Sequence, residues 1–219
     1  MKNRKVDIII IVLIAITLIW LLVTYQGLPD TIPTHWNLSG EADSFGSKNT
    51  LFIMLAVIIG LNMLLPLLAR IDPRSDNYKR FSHVYNIFRV IITLFFMALM
   101  FIAVQEAKGD ASSIFSVDRL VPILLGALFL IIGNYMPKFK HNYTMGIKTP
   151  WTLANEEVWN KTHRMAGPVW TLGGIVMILN SFILSINISR IIFFVVIAAL
   201  VAIPTIYSYF EFQKVKRKK

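Results

Sequence analysis

The chain has no cysteine at any of its 219 positions. Disulfides, thiolate metal sites and cysteine nucleophiles are thereby excluded, and the redox compartment leaves no trace. Histidine is scarce, with four residues, and the hydrolase signatures are missing: no His-Glu-x-x-His, no Gly-x-Ser-x-Gly, no phosphate-cradling glycine loop. Charge is thin at 16% of residues, with 12 Asp and Glu against 22 Lys and Arg. No acid falls midway along an apolar run, which argues against a transporter relaying protons through a buried carboxylate.

What is present is apolar. Hydrophobic residues make up 56% and the mean hydropathy is +0.63, too much for a soluble domain of this size to cover. They fall in six runs, near 8–25, 50–69, 86–104, 120–136, 167–186 and 190–210. Each is about the length that spans a hydrocarbon core of roughly 30 Å at 1.5 Å per residue. The fold class is therefore all-α: a polytopic membrane protein of six transmembrane helices. The first run follows Lys2, Arg4 and Lys5 as a signal peptide would, but its length and the lack of a small-x-small cleavage site predict a retained helix. Pro122 reads as a first-turn proline opening the fourth span, whereas Pro66 and Pro204 lie deeper and bend their helices.

Basic residues give the spans their sides. With both termini, the connection after the second span and segment 137–166 on one side, that side holds 17 Lys and Arg; the other holds only Lys48, Lys108, Arg119 and Arg190. The positive-inside rule then puts both termini and segment 137–166 in the cytoplasm. It also accounts for the net charge of +10 without nucleic acid.

Two connections are large enough to carry recognition. The outer one, 26–49, is rich in Gly, Pro and Asn and predicts a succession of turns forming a lid, with Trp36 anchored at the membrane interface. His35, Glu41 and Asp43 are the only metal-capable groups there, and one histidine without cysteine is no zinc spacing; no metal and no cofactor is expected. In the inner one, 137–166, Thr149-Pro150 forces an extended approach. Thr152 can cap a short interfacial helix with Glu156 and Glu157 in its first turns and Lys161, His163 and Arg164 at its end. Leu153, Val158, Trp159, Thr162 and Met165 form its membrane-facing side. Glu156, Asn160 and His163 share a face, either as a carboxylate–imidazole pair for proton transfer or as a solvated face with ion pairs such as Glu157 with Lys161. Within the spans, Asn62, Arg89, Asn134 and Asn180 predict hydrogen bonds between helices, with Arg89 alternatively reaching for the interface. Gly133, Gly167, Gly173 and Gly174 predict close packing of the fourth and fifth helices.

Gly146-Ile147-Lys148-Thr149-Pro150-Trp151-Thr152-Leu153, followed by Glu157-Val158-Trp159 and Thr162-His163-Arg164, resembles the SdpI family, bacterial membrane proteins related to the immunity protein against the sporulation-delaying toxin. Leu28-Pro29-Asp30-x-Ile32-Pro33-x-His35-Trp36, with Gly40 and Asp43 behind it, resembles a small domain of unknown function found at the amino end of such proteins. The resemblance implies a membrane half over 1–136 and an SdpI-like part over 137–219. It further implies protection from a secreted membrane-active toxic peptide, sensed at Pro29, Asp30, Pro33, His35, Trp36, Gly40 and Asp43. A cytoplasmic motif of Asn142, Gly146, Lys148, Thr149, Pro150, Trp151, Thr152, Glu157, Trp159, Thr162, His163 and Arg164 would relay to a transcriptional repressor. Lys148 stands where arginine is common in the family. A small-solute transporter or channel and a membrane-embedded enzyme are the competing classes.

Overall fold

The computed structural model describes residues 3–37, 40–109, 117–183 and 186–218; Lys2, Leu38, Ser39 and Lys219, which entered the loop and charge readings, lie outside them. The chain is mostly helical. It runs α1 (Arg4–Tyr25), β1 (Thr31–Trp36), β2 (Ala42–Ser47), α2 (Thr50–Ile71), α3 (Asn77–Arg80), α4 (Ser82–Ala107), α5 (Val117–Tyr135), a 3-10 turn (Met136–Lys138), α6 (Pro150–Ala154), α7 (Glu156–Asn180) and α8 (Ile186–Arg217). Among the described residues, five helices are long and apolar enough to cross a membrane: α1, α2, α4, α5 with its 3-10 turn, and α8.

The outer segment is a correction of detail. It does not stay a succession of turns but forms an antiparallel hairpin, β1 against β2, with Ile32 opposite Gly46 and Trp36 opposite Ala42. The register slips around His35, just after Pro33, as expected of a residue that cannot donate to a ladder. Leu28, Ile32 and half-buried Trp36 pack on Leu21, Leu51, Leu55, Met100, Ala103 and Val104, so the hairpin rests on the ends of α1, α2 and α4.

Helix boundaries carry two further corrections. Pro122 is the sixth residue of α5 rather than a first-turn residue, because the helix begins at Val117. The interfacial helix and the fifth apolar run are not separate: α7 is continuous from Glu156 to Asn180, with Pro168 inside it. Thr152 does not cap it. Asn155 does, accepting from the Val158 N–H at 3.0 Å, while Thr149 caps the short α6 in a capping box with Thr152.

Glycines set the closest helix contact, as expected. A Cβ on Gly126 would come within 2.7 Å of the Gly174 carbonyl oxygen, and one on Gly133 within 2.8 Å of the Gly167 carbonyl oxygen. Only hydrogen fits, so α5 and α7 meet backbone to backbone. Gly173 receives the Leu200 side chain of α8 in the same way. Polar pins join the other helices. Asn62 Nδ2 donates to Thr93 Oγ1 (2.8 Å), linking α2 to α4, and Asn180 Nδ2 donates to Ser189 Oγ (3.0 Å), linking α7 to α8. Arg89 is 6% exposed and pairs with Asp7 at 2.9 Å, linking α4 to α1. Asn134 is exposed.

Gly133→Val should therefore destabilise the purified protein by about 1–3 kcal/mol through overpacking. Gly60→Ala, where a Cβ meets nothing within 4 Å, should be neutral or stabilising by up to about 1 kcal/mol. Thermal unfolding in detergent reads both, and equal midpoints for the two variants would contradict the backbone contact.

Candidate functional site

The inner motif folds around one indole. Trp159, fully buried, lies between two imidazoles: His163 stacks on one face at a centroid distance of 4.1 Å and His141 on the other at 5.0 Å. Its Nε1–H donates to the Phe139 carbonyl at 2.9 Å. The neighbours fix both histidines. The Ile147 N–H can only donate, so His163 Nε2 accepts it (3.0 Å) and Nδ1–H donates to the Trp159 carbonyl (2.9 Å). His141 Nε2–H donates to the Leu153 carbonyl (3.1 Å), and its Nδ1 accepts from Arg74. Both rings are therefore neutral, with opposite tautomers.

Gly146 explains why the chain can pass so close. Its φ is +113°, and a Cβ there would run into the His163 ring and press on Trp159 at 3.1 Å. Any side chain would break both the conformation and the stack.

The connection between α2 and α4 holds this loop in place. Asp72 precedes Pro73, which ends α2 by forcing extended backbone at the preceding residue. The Asp72 carboxylate accepts from the Arg74 N–H (2.7 Å), the Tyr78 hydroxyl (2.7 Å), the Tyr143 N–H (2.8 Å) and the Thr144 hydroxyl (3.3 Å). Burial alone would raise the Asp72 pKa, but these hydrogen bonds more than offset it and hold the group below its ordinary value. Asn142 completes the clasp: its Oδ1 accepts from the N–H groups of Thr144 (2.9 Å) and Met145 (2.7 Å), and its Nδ2 donates to the Lys140 carbonyl (2.7 Å). Asn77 Nδ2 donates to the His141 carbonyl (2.8 Å).

The remaining motif residues face α8 or solvent. Thr149 Oγ1 meets Ser208 Oγ at 3.0 Å, and Trp151 stands edge-on to Tyr209 at 5.1 Å. Thr152 bonds back to the Ile147 carbonyl at 2.8 Å. Lys161 bridges Glu157 (2.9 Å) and Glu211 (3.1 Å), so the expected pair with Glu157 is present and extends to α8. Thr162 is buried, with no partner for its hydroxyl among the described residues. Lys148, Pro150 and Arg164 are exposed, Lys148 reaching the Thr144 carbonyl.

Two readings of this segment are corrected. The row of Leu153, Val158, Trp159, Thr162 and Met165 does not face lipid: Val158, Trp159 and Thr162 are fully buried within the protein, and Leu153 packs against the same core. Glu156, Asn160 and His163 do not share a working face either, since Glu156 and Asn160 are exposed and His163 is buried with both ring nitrogens occupied by backbone groups. Asp72, Arg74, Tyr78 and His141 were missed. Their signal was an Asp-Pro step directly after an apolar run, with Tyr78 six residues on.

The outer residues assemble loosely. His35 Nδ1 lies 2.5 Å from Asp43 Oδ1 across the hairpin, both exposed, and Asn37 donates to Glu41 at 3.0 Å. Asp30 pairs with Lys48 at 3.1 Å, and Lys48 Nζ also sits over the Tyr25 ring. Pro29 is exposed and Pro33 half-buried. Gly40, at φ +77°, abuts the backbone of Asp118 at the start of α5. A cavity of about 270 Å³ lies there, bordered by Trp36, Gly40, Asp118, Arg119, Asn180 and Arg190. Among the described residues, no three His, Asp or Glu side chains gather to hold a metal ion.

Burial pushes the His163 pKa down to about 4 from 6.5, the hydrogen bond to Trp159 offsetting only part of that; burial, with Arg74 beside it, lowers His141 too. A depressed histidine pKa means the unfolded chain takes up the proton first as pH falls. Stability is then full above pH 6.5 and declines toward pH 4, by about 3 kcal/mol for His163. Unfolding midpoints measured across that window should fall for the parent chain and fall less steeply for His163→Gln; parallel profiles would remove His163 from the account.

Comparison with known proteins places this architecture. Residues 138–208 match the SdpI/YfhL protein family, and residues 12–59 match DUF1648, a domain of unknown function. The chain is 26% identical to the immunity protein SdpI of Bacillus subtilis (strain 168) over 210 residues, covering 96% of this chain and 97% of that one. It is 55% identical to an uncharacterized protein of Archaeoglobus fulgidus over 47 residues, 20% of this chain and 26% of that one. No solved structure matches. With its five membrane-length apolar helices, the chain is a multi-pass membrane protein whose residues 138–208 are similar to the SdpI/YfhL family, behind a stretch similar to DUF1648.

Proposed function

We propose that this protein confers immunity against a membrane-active toxic peptide, which it engages at the outer hairpin, and that the Trp159 motif relays the event to a cytoplasmic repressor. The observation that carries this reading is the end-to-end likeness to an immunity protein, which covers both the hairpin and the motif rather than either alone.

The hairpin supports the outer role. It closes over the cavity beside Asp118, Arg119 and Arg190, where an apolar peptide with polar groups would meet Trp36 on one wall and Phe193 and Phe194 on another. Exposed Phe45 adds apolar surface to β2. Exposed Lys148 and Arg164 on the motif suit an acidic protein surface inside.

Sidedness and the number of crossings belong to the same reading. The imbalance of basic residues favours the motif inside and the hairpin outside. α7 supplies the sixth crossing. Its first turns are too polar to count by hydropathy, but its second half lies against α5 through Gly126, Gly133, Gly167 and Gly174, and a helix in backbone contact with a spanning helix traverses the same slab. Topology reporters fused at Ser44 and Asn155 should report opposite sides.

A deletion strain challenged with secreted membrane-active peptides should be rescued by the intact chain, and Trp36→Ala should lose that rescue. The double variant Lys148→Glu, Arg164→Glu should keep protection while losing recruitment of a repressor to the membrane. Full protection after residues 31–47 are replaced by a neutral linker would defeat the reading.

A further inference from the structure

A second cavity, of about 810 Å³, lies against α1, α2 and α4, near Arg70 of α2 and Lys79 of α3. Four polar side chains in its wall, each at least nine-tenths buried, have an atom without a hydrogen-bond partner among the described residues: Asn62 Oδ1, Tyr85 Oη, Asn86 Oδ1 and Arg89 Nε. Such groups are costly at membrane depth unless something answers them. Four in one wall describe a ligand that both accepts and donates.

The local bonding fixes which is which. The Thr93 hydroxyl gives its proton to the Arg89 carbonyl (2.8 Å), so it accepts from Asn62 Nδ2 (2.8 Å), which also donates to the Ile58 carbonyl (3.0 Å). Asn62 therefore offers its oxygen as an acceptor. Arg89 spends a terminal nitrogen on Asp7 and keeps Nε–H as a donor. The charges do not cancel. Asp7 answers Arg89 and Asp76 answers Lys79, while Arg70 has no ion pair among the described residues. The wall is thus cationic at its rim and keeps buried, unpartnered acceptors inside. Asn62 stands eight residues from Arg70, about 12 Å along α2, so the polar lining runs inward from the rim. Met63, Leu64 and Leu67, all exposed and apolar, form the lip on the lipid side.

We propose that this cavity is a binding site for an anionic glycerophospholipid whose headgroup carries hydroxyl donors. The phosphodiester meets Arg70, the Arg89 Nε–H and the Tyr85 hydroxyl; the headgroup hydroxyls meet the Asn62 and Asn86 oxygens; the acyl chains lie along Met63, Leu64 and Leu67. All four inner atoms are shielded from bulk water, so the headgroup reaches them by rotamer turns of side chains that already line the wall. A free phosphodiester shares the headgroup chemistry but makes no use of the apolar lip.

Native mass spectrometry of the delipidated full chain in detergent tests this, with phosphatidylglycerol, phosphatidylcholine of the same acyl chains, and water-soluble glycerophosphoglycerol as probes. Phosphatidylglycerol should bind at least about tenfold more tightly than phosphatidylcholine, and Tyr85→Phe and Asn86→Leu should each weaken it by about tenfold, as for loss of one buried hydrogen bond. Unfolding midpoints run alongside show that the variants are folded. Equal binding of the two lipids, or unchanged phosphatidylglycerol binding in both folded variants, overturns the proposal. Displacement by glycerophosphoglycerol at matching concentration overturns its lipid source. Peptide protection is not a readout here, so failure leaves the immunity reading untouched.

Discussion

The rest of this structure depends on keeping two imidazoles neutral against the faces of one indole. Trp159 has a donor on its edge and π-faces above and below, and the fold supplies a carbonyl to the first and a histidine to each of the second. Charged imidazolium rings would stack well on tryptophan in water, but here each ring nitrogen that lacks a proton receives a fixed donor: the Ile147 amide for His163 and the Arg74 guanidinium for His141. Protonating either ring would set hydrogen against hydrogen. Neutrality thus follows from geometry before desolvation is counted, and burial acts in the same direction.

That stack cannot form from its own segment. Phe139, His141 and Gly146 lie in a loop with little regular structure, and what fixes the loop is Asp72, 67 or more residues earlier, with Asn142 beside it. One carboxylate takes up two backbone N–H groups and two hydroxyls from both sides of the join, so it substitutes for the ladder the loop lacks. The same economy holds along the membrane helices, where single pairs such as Asp7 with Arg89 and Asn62 with Thr93 tie α1, α2 and α4 together. Between lipid-soluble surfaces, apolar burial gives little preference for one neighbour over another. Polar pins and glycine contacts supply it.

This division explains what could be read from the residues and what could not. Long apolar runs announce α1, α2, α4, α5 and α8 because hydropathy is local, and the glycines of α5 and α7 announce close packing because no other role suits them inside a run. The motif residues were singled out, yet their arrangement was misread. Val158, Trp159 and Thr162 look like a lipid-facing stripe until Asp72 brings a loop over them, and stripe periodicity is blind to what covers the stripe. The hairpin was hidden by its own composition: Pro33, Gly40 and Gly46 signal turns, whereas pairing across six to sixteen residues rests on Ile32 and Trp36 finding the ends of three helices. Asp7 was overlooked as one more charge before a span, since nothing near it in sequence points to Arg89.

Among the described elements, only α2 and α4 contribute to both buried clusters. One end of the pair, at Leu51, Leu55, Met100, Ala103 and Val104, carries the hairpin, and the other, at Ala69, Val84 and Tyr85, belongs to the core around Trp159. Under the immunity reading, an event at the hairpin reaches the motif by moving these two helices, and the hydrogen bond from Asn62 to Thr93 near their middle makes them move as a pair. Helices of 22 and 26 residues change position as rigid rods more readily than they bend, so a shift at one end appears at the other. Asp72 caps the C-terminal end of α2 and holds Tyr143 and Thr144 directly. A displacement of α2 therefore pulls on the loop that closes the indole stack, without any need for the outer ligand to enter the bundle.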